Sequence, residues 1–120
     1  MIHLDYRDAR PIYTQIADGI REQILSGILP RGTKLPSVRE LAAQLTINPN
    51  TIQRAYRELE AQGWIATVGG KGCFVCGIPE NADKTEALEE FDRVTRRLYA
   101  LGVTPSELQR RLEKGDEQNA

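Results

Sequence analysis

The stretch from Leu35 to Val75 constrains the fold more than any other part of the chain, because two short helical patterns are followed directly by a glycine-rich hairpin. Ser37 begins the first pattern, since Ser-Val-Arg-Glu is a capping box. Asn48 followed by a proline is typical of the start of a second helix. The segments 64–68 and 73–76 flank Gly-Gly-Lys-Gly and predict two paired strands. This order predicts a winged helix-turn-helix, an α+β fold that is mostly α-helical.

An amphipathic helix is predicted ahead of this stretch, between Pro11 and Ser26. Isoleucine recurs there at steps of four residues, which places an apolar row along one helix face, at Ile12, Ile16, Ile20 and Ile24. Gly27 stands where a left-handed C-terminal cap is expected, and Pro11 suits the first turn. Residues 28–34 contain a proline and a glycine and predict a connecting loop.

The third predicted helix has one apolar and one polar face. Its apolar stripe consists of Ile52, Ala55, Tyr56 and Leu59. The polar face carries groups that pair well with base edges and phosphates, at Asn50, Thr51, Gln53, Arg54 and Arg57. On an isolated helix such a face is usually only solvated. The short helix and turn before it favour DNA contact, because a helix-turn-helix uses its first helix to support the second in the major groove.

The predicted hairpin has a tip made of Gly69, Gly70, Lys71 and Gly72. Glycines allow positive φ and a close approach of the backbone to a groove, and Lys71 is able to meet phosphates. A plain tight hairpin is the alternative. Its place directly after the polar helix favours a DNA-binding wing.

Charge is unevenly distributed along the chain, although the formal net charge is only -1. Between Arg10 and Cys76 eight basic residues face five acidic ones, which gives +3. Residues 77–120 carry seven basic and ten acidic residues, which gives −3. A mildly basic head joined to an acidic tail supports nucleic-acid binding, and a dimer would double the local field.

Length and composition exclude several classes of protein. A chain of 120 residues holds one domain, or one small domain with an appendage. No run approaches the roughly 18 apolar residues of a membrane span, and the first residues lack a signal-peptide pattern, so we expect a cytoplasmic protein. One histidine, no nucleophile motif and no phosphate loop argue against an enzyme, and no cofactor is predicted.

Cys73 and Cys76 form a CxxC pair, a spacing that occurs in zinc sites and redox pairs. Residues three apart in a strand point to opposite faces, however. A zinc site also needs about four ligands, and His3 is the one histidine of the chain. We therefore expect two small core-filling residues and no metal, with a metal- or redox-sensing role as the alternative.

A two-helix tail is predicted over residues 80–114, between a head at 10–77 and a frayed end at 115–120. The apolar positions of its first helix follow one another at steps of three, three, four and three, close to the 3.5-residue seam of packed helices. The predicted dimer interface consists of Leu88, Phe91, Val94, Leu98, Tyr99 and Leu101. An exposed apolar seam needs a cover, so a homodimer is expected, and folding back onto the head is the alternative.

The end of the tail carries its own signals. Gly102 is predicted to end the long helix, and Thr104 opens a capping box for a short final helix. The buried positions of that final helix are predicted to be Leu108 and Leu112.

The chain resembles the GntR (gluconate-repressor-like) winged-helix transcription regulators in three segments, PIYTQIADGIREQILSGILPRGTKLPSVRELA, NPNTIQRAYRELEAQGWI and GGKGCFV. The resemblance covers about Pro11 to Val75, more than half of the chain. The short tail with LGVTPSEL is similar to the YtrA-type subfamily, whose members lack the large effector-binding domains of their relatives. The resemblance implies a homodimer formed through the C-terminal helices and repression by occupation of a promoter.

The resemblance also implies roles for individual residues. The family's DNA-contacting arginine at the start of the second helix falls on Arg39, and its wing glycine and lysine fall on Gly70 and Lys71. Its contacts from the turn and early recognition helix fall on Asn48, Asn50, Thr51, Gln53 and Arg54. Well-described relatives of another subfamily have arginines at the positions of Pro49 and Gln53, so a different operator sequence is expected. The predicted DNA-binding set also includes Lys34, Ser37, Arg57 and Gly69.

The sequence thus predicts a dimeric, sequence-specific double-stranded DNA-binding regulator that represses transcription from a two-fold symmetric operator. A winged-helix protein-interaction module without specific DNA affinity is the alternative. No ligand domain is visible, so a small-molecule effector would bind a cleft at the dimer interface or between head and tail.

Overall fold

The computed structural model describes the backbone of residues 2–119 and the side chains of residues 2–115. The chain forms two compact units, Met1–Ala82 and Asp83–Ala120. The first contains α1 (Ile12–Leu25), α2 (Val38–Leu45), α3 (Pro49–Ala61), β1 (Ile65–Val68) and β2 (Gly72–Val75). The second contains α4 (Thr85–Ala100) and α5 (Pro105–Asn119). We call the first unit the head and the second the tail; the predicted winged helix-turn-helix in a mostly helical α+β fold is confirmed.

The core of the head lies where α1, α2, α3 and β1 meet. The predicted isoleucine row of α1 and the apolar stripe of α3 both face this core, and α1 and α3 pack against each other. The largest side chains that are fully removed from solvent come from α1, α3 and β1, namely Ile16, Ile52, Leu59 and Ile65. Burying a side chain of this size stabilises a fold by roughly 1.5–3 kcal/mol. This core therefore fixes α3 relative to α1.

The helix-turn-helix is set by local caps. The Ser37 hydroxyl accepts a hydrogen bond from the Glu40 amide at 3.1 Å, which confirms Ser37 as the N-cap of α2. Thr46 ends α2 in the left-handed region with φ 55, and the Ile47 amide returns to the Ala42 carbonyl at 3.0 Å. The side chain of Asn48 then caps α3. The turn between the two helices is only three residues long.

The wing is a small sheet. Strands β1 and β2 are antiparallel, with Ile65 opposite Val75 and Val68 opposite Gly72. The segment before α2 adds a third strand-like piece, since Lys34 forms a bridge with Phe74 and the Leu35 amide donates to the Cys73 carbonyl at 2.8 Å. The prediction of a plain loop over residues 28–34 is therefore wrong at its end, because backbone groups there pair with β2.

The residues before α1 pack on the head. Gln15, which is 4% exposed, accepts from the Asp5 amide at 2.8 Å and donates to the Asp5 carbonyl at 2.9 Å. A Cβ at Gly19 would lie 3.0 Å from Ile2 Cγ2, so Ile2 occupies the space that a larger residue would fill. The sequence patterns do not predict these contacts. It ties the first residues to α1.

Side-chain hydrogen bonds and a glycine mark the helix ends of the tail, and those at Gly102 and Thr104 are at the predicted places. The Asp83 carboxylate accepts from the Thr85 amide at 2.9 Å, and this hydrogen bond lowers the pKa of Asp83. Gly102, with φ 95, follows α4, and the Thr104 hydroxyl accepts from the Glu107 amide at 3.2 Å. Helix α5 is assigned through Asn119, and the frayed end expected for residues 115–120 stays a prediction; Ala120 lies outside the described residues.

Candidate nucleic-acid interface

The start of α3 presents the predicted polar face. Asn50, Arg54 and Arg57 are exposed, whereas Thr51 and Gln53 are half-buried. The apolar stripe on the other side is anchored in the core, so this face is held in a fixed orientation. Amide, hydroxyl and guanidinium groups on one short helix face are suited to base edges and phosphates.

Asn48 caps the N-terminus of α3 at this site. Its side-chain oxygen accepts from the Asn50 amide at 2.9 Å. That bond satisfies one of the amides left unpaired at a helix N-terminus. The NH2 group of Asn48 is left to donate to a phosphate, while its oxygen is already used.

The start of α2 contributes a second group of predicted contacts. Ser37 uses its oxygen as the N-cap acceptor, so its hydroxyl proton is free to be donated. Arg39 is exposed in the first turn of α2. Tyr56 of α3 holds this region in place by donating its hydroxyl to the Pro36 carbonyl at 2.7 Å, and burial raises the pKa of Tyr56. The phenol therefore stays protonated and keeps α3 tied to the start of α2.

Arg54 has a neighbour that the sequence patterns do not reveal. Its Cζ lies 3.9 Å from the centre of the Tyr13 ring, and its Nη2 donates to the Tyr13 hydroxyl at 3.3 Å. Tyr13 belongs to α1, 41 residues earlier in the chain. The sequence motifs lie in α2, α3 and the wing, so they do not point to this residue of α1.

The tip of the wing is exposed and open. Lys71 is exposed, its amide donates to the Val68 carbonyl at 2.9 Å, and Gly70 has φ 73. A Cβ at Gly69 or Gly70 would meet nothing within 4 Å, so both glycines leave room in front of the turn. The predicted wing residues therefore lie together at one accessible edge.

Lys34 lies across the same hairpin. A Cβ at Gly72 would come within 2.9 Å of Lys34 Cε, and Gly72 has φ 119. Glycine is thus required at position 72 by its backbone, and its missing side chain makes room for the lysine chain. The wing carries two cations. Lys34 lies on the third strand-like piece, and Lys71 lies at the tip. Gly72 is not among the predicted DNA-binding residues.

Ion pairs refine the predicted charge of the head. Arg10 pairs with Asp8 at 2.9 Å and with Asp18 at 2.6 Å, while Arg21 pairs with Asp18 at 2.6 Å and lies 3.7 Å from Glu58. Hydrogen bonds from Arg10 lower the pKa of Asp8. Between described side chains, no ion pair joins the other arginines and lysines of the head, which are Arg7, Arg31, Lys34, Arg39, Arg54, Arg57 and Lys71. Five of these seven cations lie on α2, α3 and the wing.

The two cysteines differ in their surroundings. Cys73 is half-buried and packs against the core, and burial raises the pKa of its thiol. Cys76 is exposed. The core-filling role is thus right for Cys73 and wrong for Cys76, because the chain leaves β2 at Val75. Among the described residues, no group of three or more His, Cys, Asp or Glu side chains could hold a metal ion.

The tail presents the predicted seam on α4. Leu98 is half-buried, and Leu88, Phe91, Val94, Tyr99 and Leu101 are exposed, with values of 49% for Phe91 and 75% for Leu101. Within the second unit, Leu112 is 57% exposed, so its predicted burial is wrong for a single chain. No helix in the described part of the chain is long and apolar enough to cross a membrane.

Comparison with known proteins agrees with this geometry. Residues 12–75 match the family described as "Bacterial regulatory proteins, gntR family". The chain is 44% identical over 101 residues to the HTH-type transcriptional repressor YtrA of Bacillus subtilis (strain 168), a match that covers 84% of this chain and 75% of that protein.

Solved structures give the same result. YtrA from Sulfolobus acidocaldarius, a GntR-family transcription factor, is 31% identical with a TM-score of 0.62, and the match covers 99% of this chain and 100% of that one. AraR(DBD) in complex with operator ORR3 is 31% identical with a TM-score of 0.55, covering 62% of this chain and 89% of that one. These similarities confirm both the family and the YtrA type. The chain belongs to the gntR family of bacterial regulatory proteins and is a sequence-specific DNA-binding transcription regulator.

Proposed function

We propose that the protein is a homodimeric repressor that occupies a two-fold symmetric operator. The observation that carries this proposal is the exposed polar start of α3, beside the cations of α2 and the wing. The protein acts by covering DNA and not by catalysing a reaction. Repression is supported by the relative from Bacillus subtilis, which is named a transcriptional repressor.

The proposed DNA contacts divide into two kinds. Asn50, Thr51, Gln53 and Arg54 have side chains able to discriminate base edges in the major groove. The remaining contacts are assigned to phosphates, because cations, hydroxyls and wing backbone fix the position of a protein on the duplex without selecting a sequence. They are Lys34, Ser37, Arg39, Asn48, Arg57, Gly69, Gly70 and Lys71.

The proposed dimer forms through residues 80–114, and residues 10–77 are the proposed DNA-binding domain. The seam of α4 is apolar at helical spacing, and most of it is exposed in the single chain. A second copy with the same seam covers it, since two-fold interfaces use the same patch on both partners. Two heads are then available for two half-sites, as is usual for helix-turn-helix dimers.

The proposal is tested by titrating the full-length protein against the DNA upstream of its own gene and against random DNA of equal length and composition. Tight, salt-sensitive binding to the first fragment and weak binding to the second are expected. Footprinting should show two protected half-sites related by a dyad. Equal affinity for both fragments would contradict the proposed function.

A further inference from the structure

Tyr13 and Arg54 form a contact between two helices of the head. The Arg54 guanidinium carbon lies 3.9 Å from the centre of the Tyr13 ring, and Nη2 donates to the tyrosine hydroxyl at 3.3 Å. Tyr13 is half-buried at the start of α1, whereas Arg54 is exposed on α3. The half-buried ring of Tyr13 thus lies against the exposed side chain of Arg54.

The ring is the stronger restraint of the two. A cation within about 6 Å of a ring centre is attracted by the π face. The hydrogen bond is longer than the common value of about 2.9–3.0 Å, so it contributes less. Stacking consumes none of the five N–H donors of the guanidinium, and the bond to Tyr13 consumes one. Most donors of Arg54 are left for another partner.

Arg54 stands on the side of α3 that is proposed to face DNA. It follows Asn50 by four residues and Thr51 by three, so the three side chains share one helix face. An exposed arginine on such a face would otherwise populate many rotamers, and binding DNA would cost the entropy of ordering it. The stack on Tyr13 removes part of that cost before DNA arrives.

We propose that Tyr13 is a positioning residue of the DNA-binding surface, whose ring holds the Arg54 guanidinium in the orientation in which it donates to the operator. The proposal rests on the proposed function, because it requires Arg54 to contact DNA. Tyr13 acts through Arg54 and makes no base contact itself.

A double-mutant cycle tests this role in the full-length protein. Wild type, Tyr13→Leu, Arg54→Ala and the double variant are titrated against the DNA upstream of the gene. Tyr13→Leu should weaken binding about two- to fivefold, the factor that corresponds to an exposed cation–π contact. The same change should have no further effect when Arg54 is already alanine. Tyr13→Phe, which keeps the ring, should retain most of the affinity.

Two further measurements separate positioning from a merely structural role. Tyr6→Leu is the matched control, since Tyr6 is 72% exposed, and it should bind as the wild type does. Selection of preferred sites from randomised operators should show Tyr13→Leu and Arg54→Ala relaxing the same position. Thermal unfolding of each variant shows how far a loss of affinity follows a loss of fold.

Several results would overturn the inference while leaving the proposed function intact. One is an equal loss of DNA affinity on Tyr13→Leu whether position 54 is arginine or alanine. Another is an Arg54→Ala variant that binds the DNA as tightly as the wild type. An unchanged base preference in the selected operators of both single variants would also overturn the inference. A wild-type protein with no preference for this DNA would overturn the proposed function, and the inference with it.

Discussion

Lys71 and Gln53 are proposed to contact different parts of the duplex, and their substitution separates the two kinds of contact. Lys71→Ala should weaken operator and random DNA alike and lower the slope of log K against log salt by about one, because one phosphate contact is lost. Gln53→Ala should instead reduce the ratio of operator to random affinity. Filter-binding titrations at several salt concentrations measure both quantities.

Lys114→Ala is the control for this pair, since it removes one lysine from the tail and should leave both affinities unchanged. A sequence-dependent loss from Lys71→Ala would contradict its assignment to phosphate. An unchanged ratio in Gln53→Ala would remove this residue from the base-contacting set.

The two thiols should differ in reactivity. Burial raises the pKa of the Cys73 thiol, so at a given pH less of it is the reactive thiolate than in an ordinary cysteine. Cys76 is exposed and is expected to be alkylated first. Iodoacetamide labelling between pH 7 and 9, followed by peptide mass spectrometry, measures the two rates. The variants Cys73→Ser and Cys76→Ser identify each site, and faster labelling of Cys73 would contradict the expectation.

The Ser37 cap is expected to stabilise α2. Ser37→Ala removes the acceptor for the Glu40 amide and should lower the free energy of unfolding by about 1 kcal/mol. Urea unfolding followed by circular dichroism measures this change. Ser106→Ala is the matched control, because Ser106 is exposed inside the first turn of α5 and not at its cap. An equal effect of both substitutions would argue against Ser37 as a stabilising cap.

Elements set by local signals were predictable from the sequence. Ser37, Asn48 and Gly102 determine helix ends through bonds or dihedral angles within a few residues, and all three have the predicted role. Apolar spacing likewise identified the faces of α1 and α3 that form the core. The fold of the head follows from these short-range patterns.

The parts that could not be predicted depend on residues far apart in the chain. The Tyr13–Arg54 stack joins positions separated by 41 residues, and the third strand-like piece pairs Lys34 with Phe74. Gly72 and its contact with Lys34 belong to the same class. Propensity and spacing report on one segment at a time, so they do not show which segments meet in the folded head.

For the whole molecule, operator affinity is expected to depend on the proposed dimer. Phe91→Glu places a carboxylate in the proposed seam and should shift the protein from dimer to monomer, because an unpaired charge is costly in an apolar interface. Operator binding should fall at the same time, since the two heads are no longer linked. Analytical ultracentrifugation and gel-shift titration of the same samples measure the two effects together.

Ala100→Glu is the matched control for this variant. Position 100 lies nine residues beyond Phe91, two and a half helical turns, and therefore on the opposite face of α4. It adds the same charge and should leave both the dimer and the affinity unchanged. A dimer that survives Phe91→Glu would show that the seam is not the interface.

The stack between Tyr13 and Arg54 also bears on how operators diverge among related regulators. If part of the specificity is held by a residue of α1, two proteins with identical recognition helices can prefer different promoters once position 13 differs. After a gene duplication, whether both copies still recognise the same operator would then depend in part on α1, a helix that does not contact the bases. Matching regulators to promoters by their recognition helices alone would assign such pairs incorrectly, and position 13 belongs in that comparison.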